Sequence, residues 1–139
     1  MALIYEHHLT VPPDAIDGQG HVNNVVYLNW MQDAAVAHSS AQGWTNARYK
    51  ETGFSWVVRT HTIEYLREAF LNEEITVRTW IANMKKVTSL RRYEIVRDRD
   101  EAILAKAATN FAFINRKTAK IMRVPPELIN SFEIVPDQT

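Results

Sequence analysis

Residues 17–43 read DGQGHVNNVVYLNWMQDAAVAHSSAQG, and this stretch decides the fold. A polar loop containing Gly18 and Gly20 leads directly into the longest helical pattern of the chain. Asn23 or Asn24 is a suitable N-cap, and Gly43 is a suitable residue just past the C-terminus, so the helix is bounded at both ends. About 19 residues at about 1.5 Å each predict a helix of roughly 28 Å.

This helix is apolar over most of its circumference. Its polar positions form only a narrow stripe, which consists of Asn29, Gln32, Asp33 and Ser40. A surface helix has a single apolar stripe, whereas this one is expected to be buried on several sides.

Segments rich in Val, Ile, Thr and aromatic residues flank the helix. One precedes it at residues 3–10 and stops at Pro12 and Pro13, and four follow it at residues 55–66, 74–84, 88–97 and 102–114. The turns between the last four are short, which predicts antiparallel neighbours. A polar connection with one helical turn is expected between Gly43 and Gly53, and Pro125 and Pro126 open a short terminal helix.

This order of elements predicts one α+β domain over residues 1–139, in which a five-stranded antiparallel sheet wraps around one long central helix. Strands of roughly eight or nine residues match the length of the helix. One helix covers only one face of one sheet, so other apolar surfaces still need cover. A homodimer or homotetramer is therefore expected.

The composition excludes several classes of function. The 139 residues include 16 basic and 16 acidic side chains and no cysteine. Balanced charge provides no net field for nucleic acid or an anionic membrane, so any anion site must be local. The lack of cysteine excludes disulfides, thiolate nucleophiles and Cys-ligated metals. No signal peptide or membrane-spanning run is recognisable, and a cytoplasmic protein is expected.

The motif D-G-Q-G-H-V-N-N-x-x-Y-x-x-W at residues 17–30, followed by I-E-Y-L-R at residues 63–67, resembles the hotdog-fold acyl-CoA thioesterases of the 4-hydroxybenzoyl-CoA thioesterase class. The resemblance covers nearly the whole chain and weakens after about Ile121. It implies a hotdog fold and hydrolysis of an acyl-CoA to the free acid and CoA, with no cofactor because coenzyme A is part of the substrate. Where members commonly carry Y-L-R-P-A, this chain has Y-L-R-E-A at residues 65–69, which puts loop geometry in question.

The resemblance places the chemistry on Asp17, whose carboxylate attacks the thioester carbonyl or activates water. The leaving thiol has a pKa of about 8.5 and departs with little assistance, so a carboxylate plus an oxyanion donor suffices. The first helical turn offers free N–H groups and the positive end of the helix dipole. We expect the N–H of Asn24, either alone or together with that of Val25, to hold the oxyanion.

Each loop residue also has a structural interpretation. His21 can orient Asp17, position water or polarise the carbonyl, or it can only satisfy loop backbone groups. Gln19 has the same choice between orienting water and holding the turn. Asp17 itself can form an Asx turn, and Asn23 or Asn24 can act only as the helix cap.

Further candidates concern substrate binding. Tyr27 either lines the acyl pocket or packs in the core, as Trp30 is expected to do. The resemblance implies that Lys85 and Lys86 contact the phosphates of coenzyme A, with Thr88 adding a hydroxyl contact. Adjacent lysines at a turn are also typical of a solvated hairpin. Alternation along a strand directs Arg91 and Arg92 to opposite faces.

Two other functions are compatible with the pattern. A hotdog hydratase would pair Asp and His as D-x-N-P-x-H, whereas here the spacing is shorter and no proline intervenes. A non-catalytic module would bind an acyl-CoA or acyl carrier without cleaving it. A metal site is not expected, because the adjacent His7 and His8 diverge on a strand and no HExxH motif is present.

Overall fold

A computed structural model describes residues 4–137 of the chain. These residues form one five-stranded sheet in the order β1-β3-β4-β5-β2, with every neighbouring pair antiparallel. The strands are β1 (Tyr5–Thr10), β2 (Phe54–Tyr65), β3 (Glu74–Met84), β4 (Thr88–Arg97) and β5 (Ala102–Asn115). The long helix α1 (Asn24–Ala41) packs against β1 and β3. The predicted α+β hotdog architecture is confirmed.

Helix α1 has the ends that the sequence predicts. Asn23 is the N-cap, and Gly43 follows the C-cap with a φ of +92°. The 18 residues between them, at about 1.5 Å each, span about 27 Å.

Only one face of α1 is buried within the chain. Its buried side chains recur at helical spacing and are Tyr27, Trp30, Met31, Ala34 and His38. Val25 and Val36 on the other side are 63% and 47% exposed. The prediction that α1 is buried on several sides is therefore wrong for the single chain, because the sheet reaches only one side of the helix.

The smaller elements differ modestly from the prediction. The first strand begins at Tyr5, and residue 3 of the predicted strand lies outside the described residues. A second helix, α2 (Asn46–Thr52), exceeds the single turn expected, because Thr45 caps its start and Gly53, in the left-handed conformation, ends it. The terminal helix α3 is confined to Pro126–Ile129.

Two apolar clusters divide the interior along the axis of α1. Tyr27, Met31 and Ile75 belong to the cluster beneath the N-terminal half of the helix. Trp44, Phe113 and Leu128 belong to the cluster at the opposite end. Each end of α1 thus has its own set of supporting side chains. None of the helices within residues 4–137 has the length and apolar character to cross a bilayer.

Candidate active site

The loop before α1 is a closed hairpin-like turn. The Asp17 N–H donates to the His21 carbonyl at 2.9 Å, and the Gly20 N–H donates to the Asp17 carbonyl at 3.1 Å. Gly20 has a φ of +86°, a conformation that glycine adopts without the strain other residues incur. The Val22 N–H donates to the carbonyl of Ala69 at 2.9 Å, which fixes the turn to the segment before β3.

The carboxylate of Asp17 is held at the inside of this turn. Its Oδ1 accepts the Gln19 N–H at 2.9 Å, so the Asx turn considered from the sequence is present. Its Oδ2 lies 3.7 Å from Nδ1 of His21, and the Asp17 side chain remains 25% exposed. The carboxylate is thus oriented by the backbone through one oxygen while the other faces the histidine.

His21 is held in place through both ring nitrogens. Nδ1 lies 3.3 Å from the Val22 carbonyl oxygen and Nε2 lies 3.2 Å from Oε1 of Gln19, and the neutral imidazole donates to one of these two oxygens. The imidazole therefore satisfies the loop and also stands beside Asp17. Gln19 supports the imidazole as well as the turn.

The N-terminus of α1 presents the free N–H group of Asn24 beside this loop. The side-chain oxygen of Asn23 accepts the Val25 N–H at 3.0 Å, and the Val26 N–H donates to the Asn23 carbonyl at 2.9 Å. Within residues 4–137, the N–H of Asn24 has no hydrogen-bond acceptor. Asn23 is the cap, and Asn24 rather than Val25 keeps the donor that an oxyanion needs.

A cleft of about 620 Å³ opens next to this N–H. Four of the residues singled out from the sequence line it together, namely Gln19, His21, Asn24 and Tyr27. Asp17 reaches the site through His21 but is not itself among the lining residues.

Tyr27 packs in the core and is also among the residues that line the cleft. Its side chain is only 2% exposed, and its hydroxyl accepts the Ala69 N–H at 3.0 Å. Burial raises the pKa of the Tyr27 phenol above its ordinary value, so the hydroxyl keeps its proton at neutral pH.

The sequence did not single out three further cleft residues, Tyr65, Arg67 and Glu68. The Tyr65 hydroxyl donates to the Asn24 carbonyl at 3.1 Å, which ties the first helical turn to the end of β2. Glu68 stands where the resembling family carries proline, and it brings a second carboxylate to the cleft. The sequence signal was the motif I-E-Y-L-R for Tyr65 and Arg67, and the departure from proline for Glu68.

Lys85 and Lys86 are exposed at the β3–β4 turn, far from the other candidates. The Asp17 loop is fixed near the start of β3, and 11 residues at about 3.4 Å each place the other end of β3 about 37 Å away. Thr88, at the start of β4, belongs to that same far end. One chain therefore does not bring these three residues to its own Asp17.

Metal ligands do not converge in the part of the chain that the structure describes. No group of three or more His, Cys, Asp or Glu side chains there has the geometry to hold an ion.

Comparison with known proteins identifies the family. The model of the Thioesterase-like superfamily matches residues 11–132. The palmitoyl-acyl carrier protein thioesterase from chloroplasts of Cuphea hookeriana is 22% identical over 94% of this chain, which spans 33% of that relative's length. The long-chain acyl-CoA thioesterase FadM of Escherichia coli (strain K12) is 25% identical, with 85% of this chain and 89% of FadM covered.

A solved structure agrees with the fold. The 1,4-dihydroxy-2-naphthoyl-CoA thioesterase from Synechocystis superposes with a TM-score of 0.85 at 19% identity, covering 92% of this chain and 94% of that one. At this identity the likeness concerns the arrangement of sheet and helix.

Proposed function

This chain belongs to the thioesterase-like superfamily, and we propose that it hydrolyses an acyl-CoA thioester to the free acid and coenzyme A. The observation that carries the proposal is the unpartnered Asn24 N–H at the start of α1, in a cleft shared with His21 and Tyr27. Charge that develops on the thioester oxygen is stabilised there by a fixed N–H and by the helix dipole.

Asp17 supplies the carboxylate in one of two balanced sequences. As a general base it takes a proton from water, the hydroxyl adds to the acyl carbon, and the thiolate of coenzyme A leaves and is protonated. As a nucleophile its oxygen adds to the acyl carbon and expels the thiolate, and water then hydrolyses the mixed anhydride. Single turnover in H₂¹⁸O identifies the second route when label appears on Asp17, which requires that water adds to the Asp17 carboxyl carbon of the anhydride.

His21 acts as a positioning residue in this proposal. Its contact with Asp17 Oδ2 and the contacts of its ring nitrogens with Val22 and Gln19 restrict where the carboxylate points. A conservative His21→Gln variant is expected to retain part of the activity, because an amide can still donate to the Val22 carbonyl.

The assignment of Asp17 is tested against the other carboxylate at the cleft. Purified protein is assayed for thiol release with a panel of aliphatic and aromatic acyl-CoAs. Asp17→Asn is expected to lower kcat by about 100-fold or more, the usual range for a positioned acid or base. Glu68→Gln is the matched control and is expected to change kcat by less than a few fold. A large loss in Glu68→Gln with little loss in Asp17→Asn would transfer the role to Glu68.

The carrier of the acyl group is a separate part of the proposal. FadM is named for acyl-CoA and the Cuphea enzyme for acyl carrier protein, and the chain matches both. We favour coenzyme A, and parallel assays with one acyl group on the two carriers decide it. Tight binding of an uncleaved thioester with no thiol release would instead indicate the non-catalytic module.

We further propose a homodimer or homotetramer. Strand β2 is one edge of the sheet and exposes Val57 and Val58, which are 37% and 52% exposed. A 12-residue edge strand with an exposed apolar pair favours pairing with another copy. Because Lys85, Lys86 and Thr88 lie at the far end of the sheet, their contact with coenzyme A phosphates would be supplied across such an interface.

The reaction is proposed to need no cofactor or metal, so activity should survive dialysis against EDTA. The expected cytoplasmic location is tested by cell fractionation.

A further inference from the structure

A second cavity, of about 420 Å³, lies at the opposite end of α1. Helix α1, helix α2 and the sheet enclose it, and it shares no lining residue with the cleft at Asn24. Ala35 at its wall follows Asn24 by about three helical turns, or about 16 Å along the axis. The cavity is therefore a separate site in this chain.

Five of the residues that line this cavity are aromatic, and hydrogen bonds hold its two indole rings in place. The Trp44 Nε1–H donates to Ser131 Oγ at 2.9 Å, and the Trp56 Nε1–H donates to the Tyr49 hydroxyl at 3.1 Å. Phe111 and Phe132 complete the aromatic lining. Rigid apolar walls with few polar groups are typical of pockets for small organic molecules.

The charged side chains that line the cavity all have the same sign. They are Lys50, Arg91 and Arg116, and no Asp or Glu is among the lining residues that the structure describes. The whole chain has equal numbers of acidic and basic residues, so this excess of positive charge is local.

Arg91 supplies the charge that is most deeply buried. Its side chain is 5% exposed, and its Nη1 donates to His38 Nδ1 and to Thr79 Oγ1, each at 3.0 Å. A nitrogen that accepts from a guanidinium carries no proton, so His38 is neutral here. Both acceptors are therefore uncharged, and no carboxylate of residues 4–137 pairs with Arg91.

The remaining edge of the Arg91 guanidinium makes no hydrogen bond to the described residues. The same edge holds a carboxylate in two other arginines of this chain. Nε and Nη2 of Arg92 each lie 2.6 Å from an oxygen of Asp137, and those of Arg97 lie 3.0 and 2.8 Å from oxygens of Asp100. Among residues 4–137, His61 Nε2 is the only side-chain nitrogen or oxygen that is both fully enclosed and without a hydrogen-bond partner. Nε and Nη2 of Arg91 also have no partner, so they are not fully enclosed.

We propose that this cavity binds an amphipathic carboxylate, with the carboxylate on the free edge of Arg91 and the apolar body against the aromatic walls. A planar carboxylate matches the two parallel donors of that edge. The lysine and the second arginine at the cavity add long-range attraction for the same charge. The free acid and the terminal carboxylate of a dicarboxylic acyl thioester share this chemistry, and they are the two sources to be distinguished.

Calorimetry with 4-phenylbutyrate tests the site directly, with 4-phenylbutyramide as the uncharged analogue. The acid is expected to bind at least about tenfold more tightly than the amide, because hydrogen bonds to charged groups discriminate more strongly than neutral ones. Arg91→Met should reduce binding of the acid to the level of the amide. Arg92→Met, on the opposite face of the same strand, is the matched control and should leave both affinities unchanged.

Equal affinities for acid and amide, or undiminished acid binding in Arg91→Met, would overturn the proposal. If Arg91→Met fails to fold, Ala35→Phe fills the cavity while keeping the guanidinium, and it should abolish acid binding. The measurement is made in Asp17→Asn protein and needs no turnover, so its failure is distinct from failure of the proposed hydrolysis.

Kinetics identify the source of the carboxylate. If the site holds the far end of a dicarboxylic acyl group, Arg91→Met raises KM for adipoyl-CoA and leaves KM for hexanoyl-CoA unchanged. If it holds a free acid, neither KM changes, and 4-phenylbutyrate still binds when the thioester site is saturated. An Arg91→Met variant that raises both KM values equally would contradict a site for the carboxylate.

Discussion

Acidification should destabilise this protein through the buried side chain of His38. The His38 side chain is 3% exposed, and its pKa is lowered from 6.5 to about 4 by burial and, secondarily, by the charge of Arg91. Between these values the unfolded chain binds a proton that the folded protein excludes. Stability is therefore complete above about pH 6.5 and falls as the pH decreases towards about 4.

The magnitude follows from the difference between the two pKa values. At about 1.4 kcal/mol for each pH unit, lowering the pKa from 6.5 to about 4 corresponds to about 3 kcal/mol. The free energy of unfolding of a small domain is about 5 to 15 kcal/mol, so this loss of stability is large enough to measure. Asp100, whose pKa is lowered to about 2 beside Arg97, titrates below this range.

The assay is urea unfolding followed by tryptophan fluorescence at several values between about pH 7 and pH 4.5. His38→Gln removes the titrating group, and its amide oxygen can still accept a hydrogen bond from Arg91. The slope of the unfolding free energy against pH should therefore decrease by the equivalent of nearly one bound proton. Burial also lowers the pKa of His61, but that residue is present in both proteins and cancels in the comparison. Equal slopes for the two proteins would refute the assignment to His38.

Arg91→Met separates the two causes of the shift. Burial is the larger cause and persists in this variant, so most of the pH dependence should remain. Loss of the whole dependence in Arg91→Met would show that the charge of Arg91, and not burial, controls His38.

The remaining predictions concern the helix end, the core and the interface. Asn23→Ala removes the cap of α1, which should cost about 1 kcal/mol in urea unfolding and lower kcat, because the first helical turn carries the Asn24 N–H. Tyr27→Phe leaves the Ala69 N–H without its acceptor and should cost about 1 to 3 kcal/mol in the same assay. Val58→Lys should shift the light-scattering mass towards the monomer, since charge on an edge strand opposes pairing. Lys85→Ala with Lys86→Ala should raise KM for an acyl-CoA but not for the same acyl group on N-acetylcysteamine, which lacks the phosphates.

The sequence predicted the sheet and α1 because its signals there are local. Alternation of β-branched residues and short turns identifies antiparallel strands, and Asn23 and Gly43 mark the helix ends. Segment 105–109 (AKAAT) has weak strand propensity, yet it lies within β5, since hydrogen bonds to both β2 and β4 outweigh that propensity. A local pattern of residues does not reveal such pairing between strands that are distant in the sequence.

The site was predictable to the extent that it lies in one stretch. Asp17, His21 and Asn24 are neighbours in sequence, and the structure holds them in one turn and one helix end. Tyr65 and Glu68 come from the other side of the cleft, and only the folded sheet brings them there. The distance between the Asp17 loop and Lys85 likewise depends on the direction of β3, which motif spacing alone does not report.

The buried cation at the far end of α1 shows how a neutral composition can conceal a charged site. Alternation already required Arg91 and Arg92 to face opposite sides, and Arg91 shares its face with Tyr93 and Ile95, which are 3% and 1% exposed. An arginine on the core-facing side of a central strand therefore implies either a buried acidic partner or a ligand. The described residues contain no acidic partner, and the adjoining cavity provides the room. The balanced composition required any anion site to be local, and our proposal places that site at Arg91.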